Sequence, residues 1–185
     1  MIRAKIFHGR LRFYIAFFCL CSISTLSYSH EIKIDGKLND LSWESAEEYT
    51  KFYESFPFTL KSPSSFQKVL ILEDSDGIYF GFINQQKKEQ VRANKHERDD
   101  EMSNADKVGV SIDFDGNGLV AYSFSVSAGG SISDGIYRNE NEINYDWDAD
   151  WKSEVYIDDD YWFAEIFIPW TIAPMKSIDG PSRPV

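Results

Sequence analysis

Lys107-Val108-Gly109-Val110-Ser111-Ile112-Asp113-Phe114 and the later Leu119-Val120-Ala121-Tyr122-Ser123-Phe124-Ser125-Val126-Ser127 alternate apolar residues with small or polar ones. A period of two puts Val108, Val110, Ile112 and Phe114 on one face and Gly109, Ser111 and Asp113 on the other, the pattern of a strand with one buried side. On the return run Val120, Tyr122, Phe124 and Val126 make the matching apolar face. The residues between them carry the Gly and Asn of a turn, so the two runs predict a hairpin.

Two further hairpins frame this one. Residues 69–73 and 78–83 flank Asp74-Ser75-Asp76-Gly77, and residues 152–157 and 161–168 flank Asp158-Asp159-Asp160. Ile32-Lys33-Ile34 predicts an edge strand that stops at Asp35-Gly36. One helix is expected over 41–49, capped by Asp40, where Leu41, Trp43, Ala46 and Tyr49 recur at near three- and four-residue spacing. Residues 54–66 and 85–103 read as loops. Short strands joined by tight turns predict an all-β fold: an antiparallel two-sheet β-sandwich, jelly-roll or immunoglobulin-like, with one short helix.

The N-terminus stands apart from that domain. Arg3, Lys5, Arg10 and Arg12 precede an uncharged apolar stretch over 13–27, which ends in the small residues of Ser27-Tyr28-Ser29. Fifteen residues are too few to span a bilayer, and these flanks are those of a cleaved secretory signal over 1–29, a retained anchor being the alternative. The expected mature domain is 30–185, exported to the periplasm, the outer membrane or the cell exterior. Residues 177–185 do not read as a natural domain end, so the final strands of the sandwich are expected beyond them.

The chain carries 30 acidic and 19 basic residues for a net charge of -11, and four of those cations lie in the leader, leaving -15 for 30–185. Such a balance excludes a nucleic-acid grip, which needs a cationic face, and a polybasic hold on anionic lipid. Both cysteines, Cys19 and Cys21, leave with the leader, so disulfides, a thiolate nucleophile and a Cys-ligated zinc are excluded from the mature domain. Only His30 and His96 remain, and no G-x-S-x-G elbow accompanies them. Haem ligation by His96 and Met102 is a minor alternative.

Three constellations are candidates for binding. Asp113-Phe114-Asp115-Gly116-Asn117-Gly118 matches half of an EF-hand loop, but Phe124 stands where the twelfth-position acid is needed, so a hairpin turn is favoured. In Asp146-Trp147-Asp148-Ala149-Asp150-Trp151 three carboxylates lie on one side of an extended segment, a donor density that suits Ca²⁺. Its indoles, Trp147 and Trp151, suit the apolar faces of sugar rings, with Tyr137, Arg138 and Tyr145 as helpers. The opposing expectation is that both indoles are core and the acids solvated. Asp99, Asp100 and Asp106 form a second candidate ion cluster, Arg98-Asp99-Asp100-Glu101 with Asp106. Trp43 and Trp170 read as core anchors.

Four phrases in order resemble a known family. They are Ile34-Asp35-Gly36-Lys37-Leu38-Asn39-Asp40 followed by Trp43, the hairpin around Asp76-Gly77-Ile78-Tyr79, the strand Asp106-Lys107-Val108-Gly109-Val110-Ser111-Ile112-Asp113, and Trp151 with Tyr161-Trp162-Phe163-Ala164-Glu165-Ile166-Phe167-Ile168-Pro169-Trp170. Together they are similar to a family 9 carbohydrate-binding module within the DOMON-like sandwich group, in the variant found at the N-terminus of exported bacterial multidomain proteins. The resemblance implies a two-sheet sandwich, sugar binding without catalysis, structural calcium, and attachment to a secreted hydrolase or a membrane-barrel region. Family members clamp the sugar between two aromatics, one just before the Asp106 strand, where this chain has Met102-Ser103-Asn104-Ala105. The expected function is non-catalytic binding of a poly- or oligosaccharide; a docking sandwich without a sugar ligand is the alternative.

Overall fold

Alternation along the runs translates directly into strands. The computed structural model describes residues 32–100, 104–138 and 142–174; the expected leader and residues 177–185 lie outside them. Among the described residues nine strands form: β1 (Glu47–Tyr49), β2 (Gln67–Glu73), β3 (Gly77–Gln85), β4 (Lys107–Ile112), β5 (Val120–Ser127), β6 (Ile132–Arg138), β7 (Glu142–Asn144), β8 (Lys152–Ile157) and β9 (Tyr161–Pro169). They make two antiparallel sheets, β1-β2-β3-β9-β8 and β4-β5-β6-β7. All three expected hairpins are present, as β2–β3, β4–β5 and β8–β9. The all-β sandwich is therefore the fold.

Between the sheets the two apolar phases meet. Ile78, Phe80 and Phe82 of β3 and Trp162, Ala164, Ile166 and Ile168 of β9 pack against Ile112, Phe124 and Val126 of the smaller sheet. β3 is the middle strand of its sheet and is buried on both faces, which is why its sequence is nearly continuous in apolar residues.

Its second face is covered by residues 32–46, and here the structure departs from expectation. Ile32-Lys33-Ile34 pairs with no strand; Ile32 and Ile34 instead pack with Trp43, Leu70 and Tyr79 in a second core on the outside of the larger sheet. The helix expected over 41–49 is a 3-10 turn, Leu41–Ser45, followed by β1, whose Tyr49 pairs with Val69. Asp40 makes no side-chain cap; its carboxylate accepts the Lys33 N–H at 3.0 Å. A nine-residue helix is marginal alone, and pairing with β2 outcompetes it. No α-helix occurs among the described residues.

Two crossovers join the sheets. Residues 86–100 and 104–106 lie between β3 and β4, with a 3-10 turn at Lys88–Gln90, and residues 145–151 bring the chain back from β7 to β8. Both candidate acidic clusters lie on these crossovers. β6 and β7 continue the smaller sheet, and neither was expected as a strand.

Candidate functional site

The return crossover is extended, so its side chains alternate. Asp146, Asp148 and Asp150 are exposed, Trp147 and Ala149 half-buried, and Trp151 is buried at 7% exposure. The carboxylates thus share one side, as their spacing predicts, and the indoles turn inward. Trp151 sets its ring edge-on to Phe124 at 5.6 Å, which makes it a core residue and closes its face to a sugar. Its Nε1–H is buried without a hydrogen-bond partner. Trp147 meets Tyr122 at 5.0 Å and Phe124 at 6.0 Å on its inner side. Its outer side borders a cleft of about 460 Å³ together with Asp148, Asp150, Lys152, Phe167 and Thr171.

The expected helpers lie elsewhere. Tyr137 and Arg138 sit at the end of β6, opposite Ile143 and Glu142. Tyr137 lines a separate hollow of about 320 Å³ beside Asp113, Leu119 and Ala121, which shares no residue with the Trp147 cleft. Tyr145 is 44% exposed at the start of the crossover. Lys152 and Thr171, which do line the cleft, carry no sequence signal, since folding of β8 and of the 3-10 turn Trp170–Ile172 brings them there.

The acids expected as metal ligands do not form one group. Asp99 and Asp148 come together with Asp134 of β6, their oxygens within 4.8 Å of one another. The side chain of Arg98 reaches all three. Its Nη2–H donates to Asp134 Oδ1 at 2.6 Å and to the Ala149 carbonyl at 3.0 Å. Its Nε lies 2.9 Å from Asp148 Oδ1 and 3.6 Å from Asp99 Oδ2. Asp134 Oδ2 accepts the Ala149 N–H at 2.7 Å, and Asp99 Oδ1 accepts the Asp134 N–H at 2.8 Å. Calcium requires six to eight oxygen ligands around a cation. In this cluster the guanidinium already supplies the positive charge and backbone donors take further oxygens, so the donor set does not fit calcium. Burial raises the Asp134 carboxyl above its ordinary range, against the Ala149 N–H and Arg98, which lower it.

The remaining acids are outside that cluster. Asp100 lies 3.3 Å from His96 Nδ1. Asp106 pairs with Arg92, and Asp146 and Asp150 are exposed. Met102, the second residue of the haem alternative, lies outside the described residues. The EF-like stretch is a turn: Asp113 Oδ1 accepts the N–H groups of Asp115 and Gly116 at 3.0 and 2.9 Å, and Oδ2 that of Gly118 at 2.5 Å. Those backbone donors, Gly118 foremost, hold the Asp113 carboxyl below its ordinary range.

Beside Asp134, a second carboxylate without a role in the sequence reading is buried. Glu165, in the middle of β9, is fully buried. Its Oε2 accepts the N–H groups of Asp35 and Gly36, both at 2.8 Å, and its Oε1 accepts Trp43 Nε1–H at 3.1 Å. Gly36 has φ +79°, and a Cβ there would lie 2.6 Å from the Val155 carbonyl carbon, so only glycine fits this approach. Both overlooked acids had a phase signal. Asp134 lies between Ile132 and Ile136 on the inward face of its sheet, and Glu165 between Phe163 and Phe167 on the outer face of the larger sheet. A charge in an apolar phase implies a buried partner.

No protein-family model matches this sequence, and no curated protein matches it. Two solved structures are similar in fold. A candidate carbohydrate-binding protein from Bacteroides uniformis superposes with a TM-score of 0.53 at 10% identity over 70% of this chain. A family 9 carbohydrate-binding module from Caldicellulosiruptor kristjanssonii, in complex with cellotriose, superposes with a TM-score of 0.52 at 11% identity over 80% of this chain. The likeness is one of fold. This chain spans 62% of the first protein's length and 68% of the second's.

Proposed function

We propose that this chain is a non-catalytic carbohydrate-binding domain of an exported protein, and that the sugar binds in the Trp147 cleft. The observation that carries this is a half-buried indole bordering an open cleft in which apolar residues, Phe167 and Ile172 among them, alternate with the hydrogen-bonding side chains of Asp148, Asp150, Lys152 and Thr171. The outer side of the ring can cover the C–H face of a pyranose, and Asp148 and Asp150 can accept its hydroxyl protons. Lys152 and Thr171 supply donors. Support also comes from the two proteins of similar fold, one described as a candidate carbohydrate-binding protein and one bound to cellotriose. The basic and then apolar pattern over 1–29, the pattern of a secretory leader, supports export, and attachment to a hydrolase or membrane-barrel region is part of the same proposal.

Titration of the intrinsic tryptophan fluorescence with cellotriose and other neutral oligosaccharides tests it. A saturable shift is expected in the wild type, with affinity weakened about tenfold or more in Trp147→Ala, a loss of roughly 1.4 kcal/mol. Absence of any shift at millimolar sugar overturns it.

A docking domain without a sugar ligand is the second reading, favoured by one loop. Phe56 is 98% exposed, Phe58 78% and Leu60 57%, on a turn held by Glu54 N–H to the Lys61 carbonyl at 2.9 Å. Exposed apolar groups this close together mark contact surfaces. On this reading Trp147→Ala changes stability and no binding.

A further inference from the structure

At the edge where β2 faces β4 the two sheets part and leave a groove of about 490 Å³. Its floor is apolar, with Phe82 and Trp162 both buried. Phe52, half-buried, forms one wall. The charged residues that line it are Lys68, Arg92, Lys107 and Asp106, three cations to one acid, in a chain whose acids outnumber its cations 30 to 19. The groove therefore inverts the sign of the molecule locally, and low-dielectric walls focus that field.

The one carboxylate in its lining is already used. Asp106 Oδ1 accepts Arg92 Nε–H at 3.0 Å and Nη2–H at 2.6 Å, while Oδ2 accepts the Arg92 backbone N–H at 3.0 Å and Gln86 Nε2–H at 2.8 Å. Burial opposes its ionisation, but these donors outweigh it and hold the carboxyl below its ordinary range. Gln86 is fixed in turn, its Oε1 accepting Trp162 Nε1–H at 3.1 Å and its Nε2–H reaching the Gln90 carbonyl at 3.0 Å. What faces the open groove is a surplus of donors. Lys107 is exposed and forms no ion pair among the described residues, Arg92 is 61% exposed, and Lys68 spends one bond on Glu48.

We propose that this groove is a second binding site, and that it takes a carboxylate-bearing saccharide, a uronic-acid residue of an acidic glycan. The carboxylate sits between Lys107 and Arg92, and the ring lies against Phe52. A long polyanion such as nucleic acid is disfavoured because the surrounding surface is acidic. From the preceding section this takes only the saccharide class; the groove shares no residue with the Trp147 cleft.

Calorimetric titration of the full chain with trigalacturonate, cellotriose and acetate tests it. Trigalacturonate is expected to bind more tightly than either of the others, and more weakly as salt rises. Lys107→Glu, an exposed substitution, is expected to weaken trigalacturonate about tenfold through reversed charge and to leave cellotriose unchanged. Trp147→Ala is expected to leave trigalacturonate unchanged, so failure of the neutral-sugar cleft and failure of this groove are separable. The proposal is overturned if trigalacturonate binds no better than cellotriose, if acetate binds equally well, or if Lys107→Glu retains full affinity. It is equally overturned if Trp147→Ala abolishes trigalacturonate binding.

Discussion

Each sheet buries one carboxylate, and the two are held in different ways. Glu165 in the larger sheet is satisfied only by neutral donors, two backbone N–H groups and an indole. Asp134 in the smaller sheet is satisfied by a guanidinium and a backbone N–H. The difference follows from what each must tie down. Glu165 fastens a strandless segment, residues 32–46, flat against a sheet, and backbone donors are the only groups such a segment always offers. Asp134 fastens two crossovers of the same acidic chain, where Asp99 and Asp148 would repel it without a cation between them. Burial is the main force raising both carboxyls above their ordinary range.

The largest test of this contrast is Glu165→Ala. Three donors, two of them buried and that of Asp35 half-buried, lose their acceptor, at about 1–3 kcal/mol each before water re-enters, so a loss of roughly 3–4 kcal/mol in urea denaturation is expected. Hydrogen exchange should report early opening of Asp35 and Gly36, with β4 to β6 still protected. Opening of both sheets together would break the comparison.

Arg98→Ala comes next, at about 2–3 kcal/mol, because one partner of a buried pair is removed while the arginine itself is partly solvated. Calcium is expected to leave the melting temperature of the wild type unchanged. In Arg98→Ala it is expected to recover part of the loss, since three carboxylates then remain without their cation. A wild type stabilised by calcium would mean that the guanidinium is not the resident charge.

Glu165 also carries a pH dependence of definite sign. Its folded-state value is raised above the ordinary 4.5, with burial the leading cause, so the native state keeps a proton that the unfolded chain has released. Its contribution is full below 4.5 and is lost as pH rises through the raised value. Denaturation midpoints should therefore fall over that window, and Glu165→Gln should flatten the fall. The smallest effect belongs to Asp148→Asn. The Asp148 side chain is 72% exposed, and an exposed pair of this kind is worth under about 1 kcal/mol. A larger loss would move the weight of the Arg98 cluster from Asp134 to its rim.

Legibility in the sequence followed burial on one face. β4 and β5 alternate cleanly because their outer face meets solvent or small residues, so their pairing and phase could be read residue by residue. β6 hid its phase because Asp134 takes an inward position between Ile132 and Ile136, and β7 is only three residues long. The segment 41–49 misled because Trp43 and Ala46 are apolar for a reason unrelated to helix, namely cover over Leu70 and Tyr79. In the candidate cleft, the alternation of Asp146 to Trp151 was legible, but which indole keeps an open side was not. Trp147 and Trp151 have the same spacing to their neighbours, and only contact with Phe124 and Tyr122 distinguishes them.

By itself the sequence determined the all-β sandwich, the three hairpins and the side of the crossover on which the carboxylates stand, because each depends on local periodicity and turn chemistry. The tertiary structure alone decided which charges meet. Arg98 lies 36 positions from Asp134, and Glu165 lies 130 from Asp35 and 122 from Trp43. Pairings across such separations are set by how two sheets and two crossovers pack, and no local pattern encodes that.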